Sequence, residues 1–328
     1  MLDSQVMKFA SSILFSFAIA SVACACNIPV FRYALERWRP DQCEAIVFHN
    51  GDLSAEQRRL IEELSAATIG KDQSANVKIV QSDISRTTAL HRELWTELES
   101  DPGASLPYVV LRIKLGPGRI VNGWRGPLDA IGRSGVLESP ARKELGRRLL
   151  AGHSIVWLMI GAGDEQRNLA ARQMLTANFD TLANKIELPE GIGLPGSELH
   201  SEIPLLLKYS LLEIDRADLR EQFLIELLSG FQPAAVAVDE PLIVPVFGRG
   251  RALEVIPASD LSAHLMEDLT MFLSGACSCQ VKEQNPGFDL LLSVDWETEL
   301  FGEGVEPPPP RTTRDREQPT LLTIPPGR

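Results

Sequence analysis

The order in which strand-like and helix-like patterns follow one another limits the fold of this chain more than any single motif. In the first half, an apolar strand is predicted at residues 45–48, and a capping box at Ser54 and Gln57 begins the helix that follows it. A second strand is predicted at residues 76–85, and apolar residues at helical spacing predict a second helix at residues 90–98. Strands that alternate with helices in this way predict an α/β fold with a mixed sheet.

A hairpin and a closing helix complete the first half. Pro107 precedes a strand predicted at residues 108–113, and a glycine turn leads to a return strand that starts at Ile120. The closing helix is expected to begin after Ser139 as its N-cap and to end before Gly152. The first half therefore has the order β-α-β-α-β-β-α.

The second half repeats this order without obvious residue identity. A strand at residues 155–160 leads through a glycine turn into a long helix, and a further strand and a helix closed by Gly230 follow. Pro245 is predicted to take the place of Pro107 where the hairpin strand starts, and a helix at residues 259–274 ends the repeat. Two tandem domains of one layout are therefore expected.

Both halves resemble the thioredoxin-like fold in their order of elements and in Pro107 and Pro245, where that family carries a cis-proline beside its active site. The resemblance covers residues 43–274. The C-x-x-C redox motif of the family is absent, because the turn after the first strand reads HNGD, from His49 to Asp52, and its counterpart in the second half reads GAGD. Thioredoxin-type exchange needs a thiolate of low pKa at this point. The resemblance therefore implies two redox-inactive domains.

An uncharged run at residues 9–28 predicts a secretory signal peptide. The small residues Ala23 and Ala25 precede a cleavage point before Cys26, and Lys8 supplies a short positive lead. Export to the periplasm or to the cell exterior is therefore expected. Two alternatives stay open: an uncleaved membrane anchor, and a lipoprotein acylated on a cysteine of this region. Membrane association is expected only in these two cases.

Charge and motifs exclude several functional classes. With a net charge of −12 the chain repels phosphate backbones, and its arginine-rich stretches, at residues 142–148 and 311–316, are short. The five histidines lack the spacing of a zinc hydrolase, and neither G-x-S-x-G nor a P-loop motif occurs. These patterns therefore predict no nucleic-acid partner and no cofactor, and they contain no catalytic signature that would identify an enzyme.

Removal of the signal peptide leaves four cysteines, which are Cys26, Cys43, Cys277 and Cys279. An even number in an oxidising compartment favours structural disulfides that tie Cys277 and Cys279 to the other two, and three pairings are conceivable. A strained, reducible bond between Cys277 and Cys279 is a second interpretation. A copper site on the thiolates of this pair, with Cys26 as a further ligand, is a third.

The segments outside the two repeats are assigned separately. Residues 26–38 predict an amphipathic helix that packs on the first domain with Phe31, Leu35 and Trp38 on its buried side. The acidic and aromatic stretch at residues 295–301 is expected to be solvated or to bind a partner. The predicted divisions are a signal peptide at 1–25, thioredoxin-like domains at 26–152 and 153–275, a Cys-x-Cys segment with a candidate edge strand at 276–302, and a proline-rich disordered tail at 303–328.

These patterns favour a binding or scaffold protein of the cell envelope with a protein or peptide partner. A groove beside the hairpin proline would hold an extended segment, and its candidate residues are His49, Asp52, Pro107, Tyr108 and Pro245. Tyr108→Ala is expected to weaken a partner and to leave folding nearly intact. The alternative function is thiol-disulfide exchange or copper handling at the cysteine pair described above.

Overall fold

The computed structural model describes residues 27–68, 75–101, 103–116, 118–132, 134–277 and 281–305. Within these ranges the chain forms two mixed sheets, of four and six strands, with helices packed on their faces. The mixed α/β class expected from the sequence is therefore confirmed. None of the described helices has both the length and the apolar character needed to cross a membrane. The predicted signal peptide and residues 306–328 of the predicted tail lie outside the described residues.

The first sheet is built from elements of the first half. In chain order these are α1 (Val30–Arg37), β1 (Cys43–His49), α2 (Ala55–Thr68), β2 (Val77–Asp83), α3 (Ala89–Leu98), β3 (Tyr108–Lys114), β4 (Ile120–Pro127) and α4 (Pro140–Leu150). The strand order is β2-β1-β3-β4, in which β1 runs parallel to β2 and antiparallel to β3. Strands β3 and β4 form the expected hairpin.

The second sheet has the same connectivity and additional short strands. Its elements are β5 (Ile155–Ile160), α5 (Glu165–Lys185), β6 (Tyr209–Ile214), α6 (Gln222–Ser229), α7 (Pro233–Ala237), β7 (Leu242–Phe247), β8 (Arg251–Ala252), β9 (Ile256–Pro257), α8 (Ala263–Ser274), β10 (Phe288–Asp289) and α9 (Trp296–Phe301). The order is β10-β8-β7-β5-β6, and β9 pairs with β7. The path β6-β5-β7-β8 repeats β2-β1-β3-β4, and both sheets are compatible with a thioredoxin-like arrangement.

Local chemistry explains where several of these elements begin. At α2 the Gln57 side chain accepts a hydrogen bond from Ser54 N at 2.8 Å, and Gln57 N donates to Ser54 Oγ at 3.1 Å, which confirms the capping box. Asp164 caps α5 by accepting from Gln166 N at 2.8 Å. Strands β5 and β7 are buried along their whole length, as expected for the central strands of a sheet covered on both faces.

Helix α1 packs on the second sheet, which corrects the prediction that it packs on the first domain. Phe31 and Trp38 are buried as expected, but their cluster contains residues of β5, β7 and α8. Arg32, a buried residue of α1, donates hydrogen bonds to Ser201 O and Ile203 O, each at 2.6 Å. It also pairs with the buried Glu36 at 2.8 Å. Apart from the pairing within α1, the backbone groups that satisfy these buried charges belong to residues 200–203 of the second half, so the helix docks there.

Helix α4 was predicted to close the first domain, and it also packs on the second sheet. Leu145 and Leu149 join the cluster of apolar side chains from β5, β6 and β7. In return, Phe223 and Leu227 of α6 complete the core of the first sheet beside Ile113. Each half therefore contributes residues to the core of the other half's sheet, across the predicted boundary at residue 152.

The stretch after Gly287 is folded. Strand β10 is two residues long, lies at the edge of the second sheet and pairs with β8. Residues 296–301 form α9, whose Trp296 and Leu300 are buried in the core of the second sheet. The expectation of a solvated segment here was wrong, because these two apolar residues stand four positions apart and lie on one helical face.

Candidate functional site

The sequence prediction points first to the edge of the first sheet where β1 ends and β3 begins. The antiparallel pairing of β1 with β3 ends with Phe48 opposite Tyr108. His49, which follows Phe48, and Pro107, which precedes Tyr108, are therefore the next residues at this edge. His49 Nδ1 lies 2.8 Å from the carbonyl oxygen of Gly51 within the HNGD turn. The Leu106–Pro107 peptide bond is cis, as the resemblance implies for Pro107.

The HNGD turn is held by the end of β2. Asp83 accepts hydrogen bonds from Ser85 Oγ at 2.7 Å, from Ser85 N at 3.0 Å and from Gly51 N at 3.4 Å. These bonds, chiefly those from Ser85, lower the pKa of Asp83. Gly51 adopts a φ of 68°, which favours glycine at this point of the turn. Asp52 is exposed at the rim and carries no structural hydrogen bond in the described part of the chain.

Tyr108, the first residue of β3, is part of the core. Its side chain is 6% exposed and its ring centroid lies 6.2 Å from that of Trp95. Trp95 in turn contacts Phe48 at 5.5 Å, so the three rings form one buried cluster between the sheet and α3. Burial raises the pKa of Tyr108, and the nearby Asp101 raises it further. Tyr108 is therefore a core residue, and the expectation that Tyr108→Ala leaves folding nearly intact needs correction.

The main chain beside Pro107 is open. Pro107 O accepts a hydrogen bond from Leu128 N at 3.1 Å, but within the described ranges no backbone hydrogen bond involves Leu106. Leu106 itself is half-buried against the aromatic cluster. An unpaired amide and carbonyl at the end of a sheet can accept an added extended segment. The first half thus has a short open edge at residues 105–107 beside the HNGD turn, where the main chain of Leu106 is unpaired.

In the second half, the prediction that Pro245 takes the place of Pro107 is wrong. Ile160 at the end of β5 pairs with Leu242, and Pro241 is the residue that precedes this strand. Pro245 lies inside β7 opposite Trp157 and is buried. Pro241 therefore holds the position that corresponds to Pro107, and Pro245 is a core position that lines no groove.

At the corresponding edge of the second half, the main chain of Glu240, which precedes Pro241, is already hydrogen-bonded. Arg216 donates to Glu240 O at 2.5 Å, which fills the carbonyl that corresponds to that of Leu106. Asp239 accepts a bond from Gly163 N at 2.9 Å and another from Arg216 at 3.2 Å. The GAGD turn is thereby tied to the segment before β7. The two halves share a topology, and among the described residues this main chain is unpaired in the first half and paired in the second.

A cavity of about 510 Å³ lies beside the edge of the second half. Its wall from α5 contains Ala170 and Met174, and the opposite wall contains Val238, Pro241 and Leu261. Apolar side chains dominate this lining, so the cavity suits a hydrophobic group. Sequence analysis missed the cavity because its walls come from α5, the segment after α7 and the approach to α8, which are far apart in the chain.

The described cysteines are buried in two separate clusters. Cys43 is a free thiol in the core of the first sheet, where burial, with smaller contributions from Asp289 and Asp41, raises its pKa to about 12. Cys277 is 1% exposed and lies in the cluster around α1. Its N–H donates to Ile28 O at 2.9 Å. No disulfide joins Cys43 to Cys277.

The remaining cysteine predictions concern residues outside the described ranges. Cys26 and Cys279 belong to that part of the chain, so their disulfide, redox and copper interpretations stay predictions. Within the described ranges no group of three or more His, Cys, Asp or Glu side chains could hold a metal ion.

A buried ionic network between the two halves was not expected from the sequence. Asp289 accepts hydrogen bonds from Arg251 at 3.0 Å and from Asp41 N at 2.6 Å, and it also contacts Lys282. Lys282 lies 3.2 Å from the Asp41 carboxylate. Separately, Arg142 donates to Leu291 O at 3.1 Å. Charged residues usually indicate a solvated surface in a sequence, so no local pattern could have located these side chains.

No model of a known protein family matches the chain, and no curated protein matches it significantly. The function must therefore be inferred from the open edge of the first half, the cavity of the second half and the buried cysteines.

Proposed function

We propose that this chain is an exported, redox-inactive, thioredoxin-like binding or scaffold protein of the cell envelope. Its partner is a protein or peptide segment in an extended conformation. The binding site is the edge formed by residues 105–107 and the HNGD turn, with His49 and Asp52 at its rim.

The unpaired backbone of Leu106 is the observation that carries this proposal. A partner strand that hydrogen-bonds to this residue gains main-chain pairing without displacing any existing bond of the protein. The exposed Asp52 adds a negative charge beside the edge, so a basic side chain in the partner is favoured. The HNGD turn holds no cysteine, so thioredoxin-type exchange is not proposed for this edge.

The alternative function at the cysteine pair receives less support. Thiol exchange and copper transfer both require an accessible sulfur, and Cys277 is 1% exposed within an apolar cluster. Burial of this kind is typical of a structural cysteine. The redox role therefore stands second to the binding role.

Selection of linear peptides on the purified full-length chain tests the binding role. We expect selected peptides to carry a basic residue, and Asp52→Lys to weaken their binding by about tenfold, the loss expected for one favourable charge contact. An N-methyl group on the peptide residue that pairs with Leu106 should weaken binding by a similar factor, because it removes a main-chain donor.

Glu190→Lys is the matched control. Glu190 is exposed on the second half, and the substitution makes the same change in net charge. Binding that falls equally in both variants would show a nonspecific charge effect. A failure to select any peptide, or full tolerance of the N-methyl group, would reject the proposed edge.

A further inference from the structure

The cavity beside α5 leaves apolar side chains uncovered. Met174 is 38% exposed and Val238 is 60% exposed, and both line the cavity. Large apolar side chains grouped in a concavity usually have a partner. This cavity belongs to the second half and is distinct from the docking edge of the first half, so its occupant is independent of the proposed function.

The charged groups at the rim of the cavity are already satisfied. Arg167 donates to Val238 O at 2.6 Å and to Asp239 O at 3.0 Å. Glu240 accepts a hydrogen bond from Ser259 N. Neither side chain needs an ion or a charged ligand, so the cavity selects an apolar occupant.

The chain itself contains a matching segment after its last described residue. Residues 306–320 hold no large apolar side chain other than proline, whereas Leu321, Leu322 and Ile324 stand together and are followed by two prolines. Proline restricts the unbound backbone, which lowers the entropy lost when such a segment docks. An extended group of two leucines and an isoleucine suits an apolar cavity of this volume.

The geometry allows this segment to reach the cavity. Pro241, before β7, lines the cavity, whereas Arg249, just after β7, binds Glu297 of α9 at 2.8 Å. The cavity and α9 therefore lie toward opposite ends of a six-residue strand, which is about 20 Å long. The chain between Val305 and Leu321 spans up to roughly 50 Å when extended.

We propose that residues 321–326 of the same chain dock in the cavity lined by Ala170, Met174 and Val238. Leu321, Leu322 and Ile324 supply the apolar contacts, and the segment covers this face of the second half. The tail is then an intramolecular ligand. A competing apolar segment would have to displace it.

Photo-crosslinking in the full-length chain tests this docking. With a photo-crosslinking amino acid in place of Met174, we expect an intrachain crosslink to the tryptic peptide EQPTLLTIPPGR, residues 317–328. The triple variant Leu321→Ser, Leu322→Ser, Ile324→Ser should lower its yield at least about tenfold, because it removes the apolar contacts. Backbone amides of residues 170–174 should exchange hydrogen faster in the same variant.

The same crosslinking residue at Leu219 is the control, because this side chain is 79% exposed and does not line the cavity. It should give no crosslink to residues 317–328. An unchanged yield in the triple variant would refute the docking. Crosslinks from position 174 to a second copy of the chain, or to another protein, would refute the intramolecular assignment.

Discussion

The aromatic cluster of Phe48, Trp95 and Tyr108 lets a single substitution test how much core packing stabilises the first sheet. Tyr108→Ala removes a ring packed against Trp95 and Phe48. We expect a loss of about 3 kcal/mol in the free energy of unfolding, because a large buried side chain leaves a cavity. Urea unfolding followed by tryptophan fluorescence measures this loss.

Tyr108→Phe is the control for this residue. It keeps the ring and its packing, so the expected loss is below about 1.5 kcal/mol. If Tyr108→Ala proved as mild as Tyr108→Phe, the ring would contribute little to the core, and Tyr108 would again be a candidate for partner binding.

At the scale of elements, a short antiparallel pairing connects the segment before α1 with the segment after α8. Pro29 forms a bridge with Ala276, and Ile28 accepts a hydrogen bond from Cys277 at 2.9 Å. Facing residues of the described pairing have numbers that sum to 305. We expect the same register to continue beyond the described residues, where it would bring Cys26 opposite Cys279. Opposed residues of an antiparallel pair have Cα atoms about 5.5 Å apart, within the range that a disulfide needs.

We therefore predict that a disulfide joins Cys26 and Cys279 when the protein is in an oxidising compartment. It forms by exchange with a disulfide oxidant, which takes up two electrons and two protons from the two thiols. Peptide mass spectrometry after alkylation without reductant should find residues 26 and 279 linked, with Cys43 unmodified until the protein is denatured. A bond between Cys43 and Cys279 would contradict the register.

Elements were predictable from the sequence where their signals are local. The capping box of α2, the strand at β5 and the glycine turns rest on neighbouring residues, and the structure contains them. The docking of α1 and α4 rests on distant partners, such as the carbonyl groups that bind Arg32, which no sequence pattern indicates. Pro107 led the sequence prediction to the open edge, because it directly follows Leu106. Pro245 gave a wrong prediction, because it lies inside the apolar strand β7 and not before it.

The whole molecule is expected to unfold as one unit, because its halves share cores and a buried ionic network. Asp289→Ala removes the carboxylate that pairs with Arg251 and Lys282, and the two positive charges then stay in a buried site without this partner. We expect a loss of about 3–5 kcal/mol in the free energy of unfolding. Native-state hydrogen exchange should show that amides of β1 and β5 open with the same free energy.

Asp268→Ala is the control at this scale. Asp268 pairs with His264 at 3.5 Å on an exposed face of α8, so its loss should cost less than about 0.5 kcal/mol. Different opening free energies for β1 and β5 would show that the two halves unfold separately, in contradiction to a shared interior.

The contacts of α1 also bear on how the chain is made. A ribosome delivers this helix early, yet its partners include α8, and Val30 N donates to Gly275 O at 3.1 Å. For most of synthesis the apolar face of α1 has no native surface to cover it. The second sheet can be completed only when the far end of the chain has emerged. Docking of α1 is therefore delayed until α8 and β10 have been synthesised, and factors that shield the apolar face of α1 before then should raise the yield of native protein.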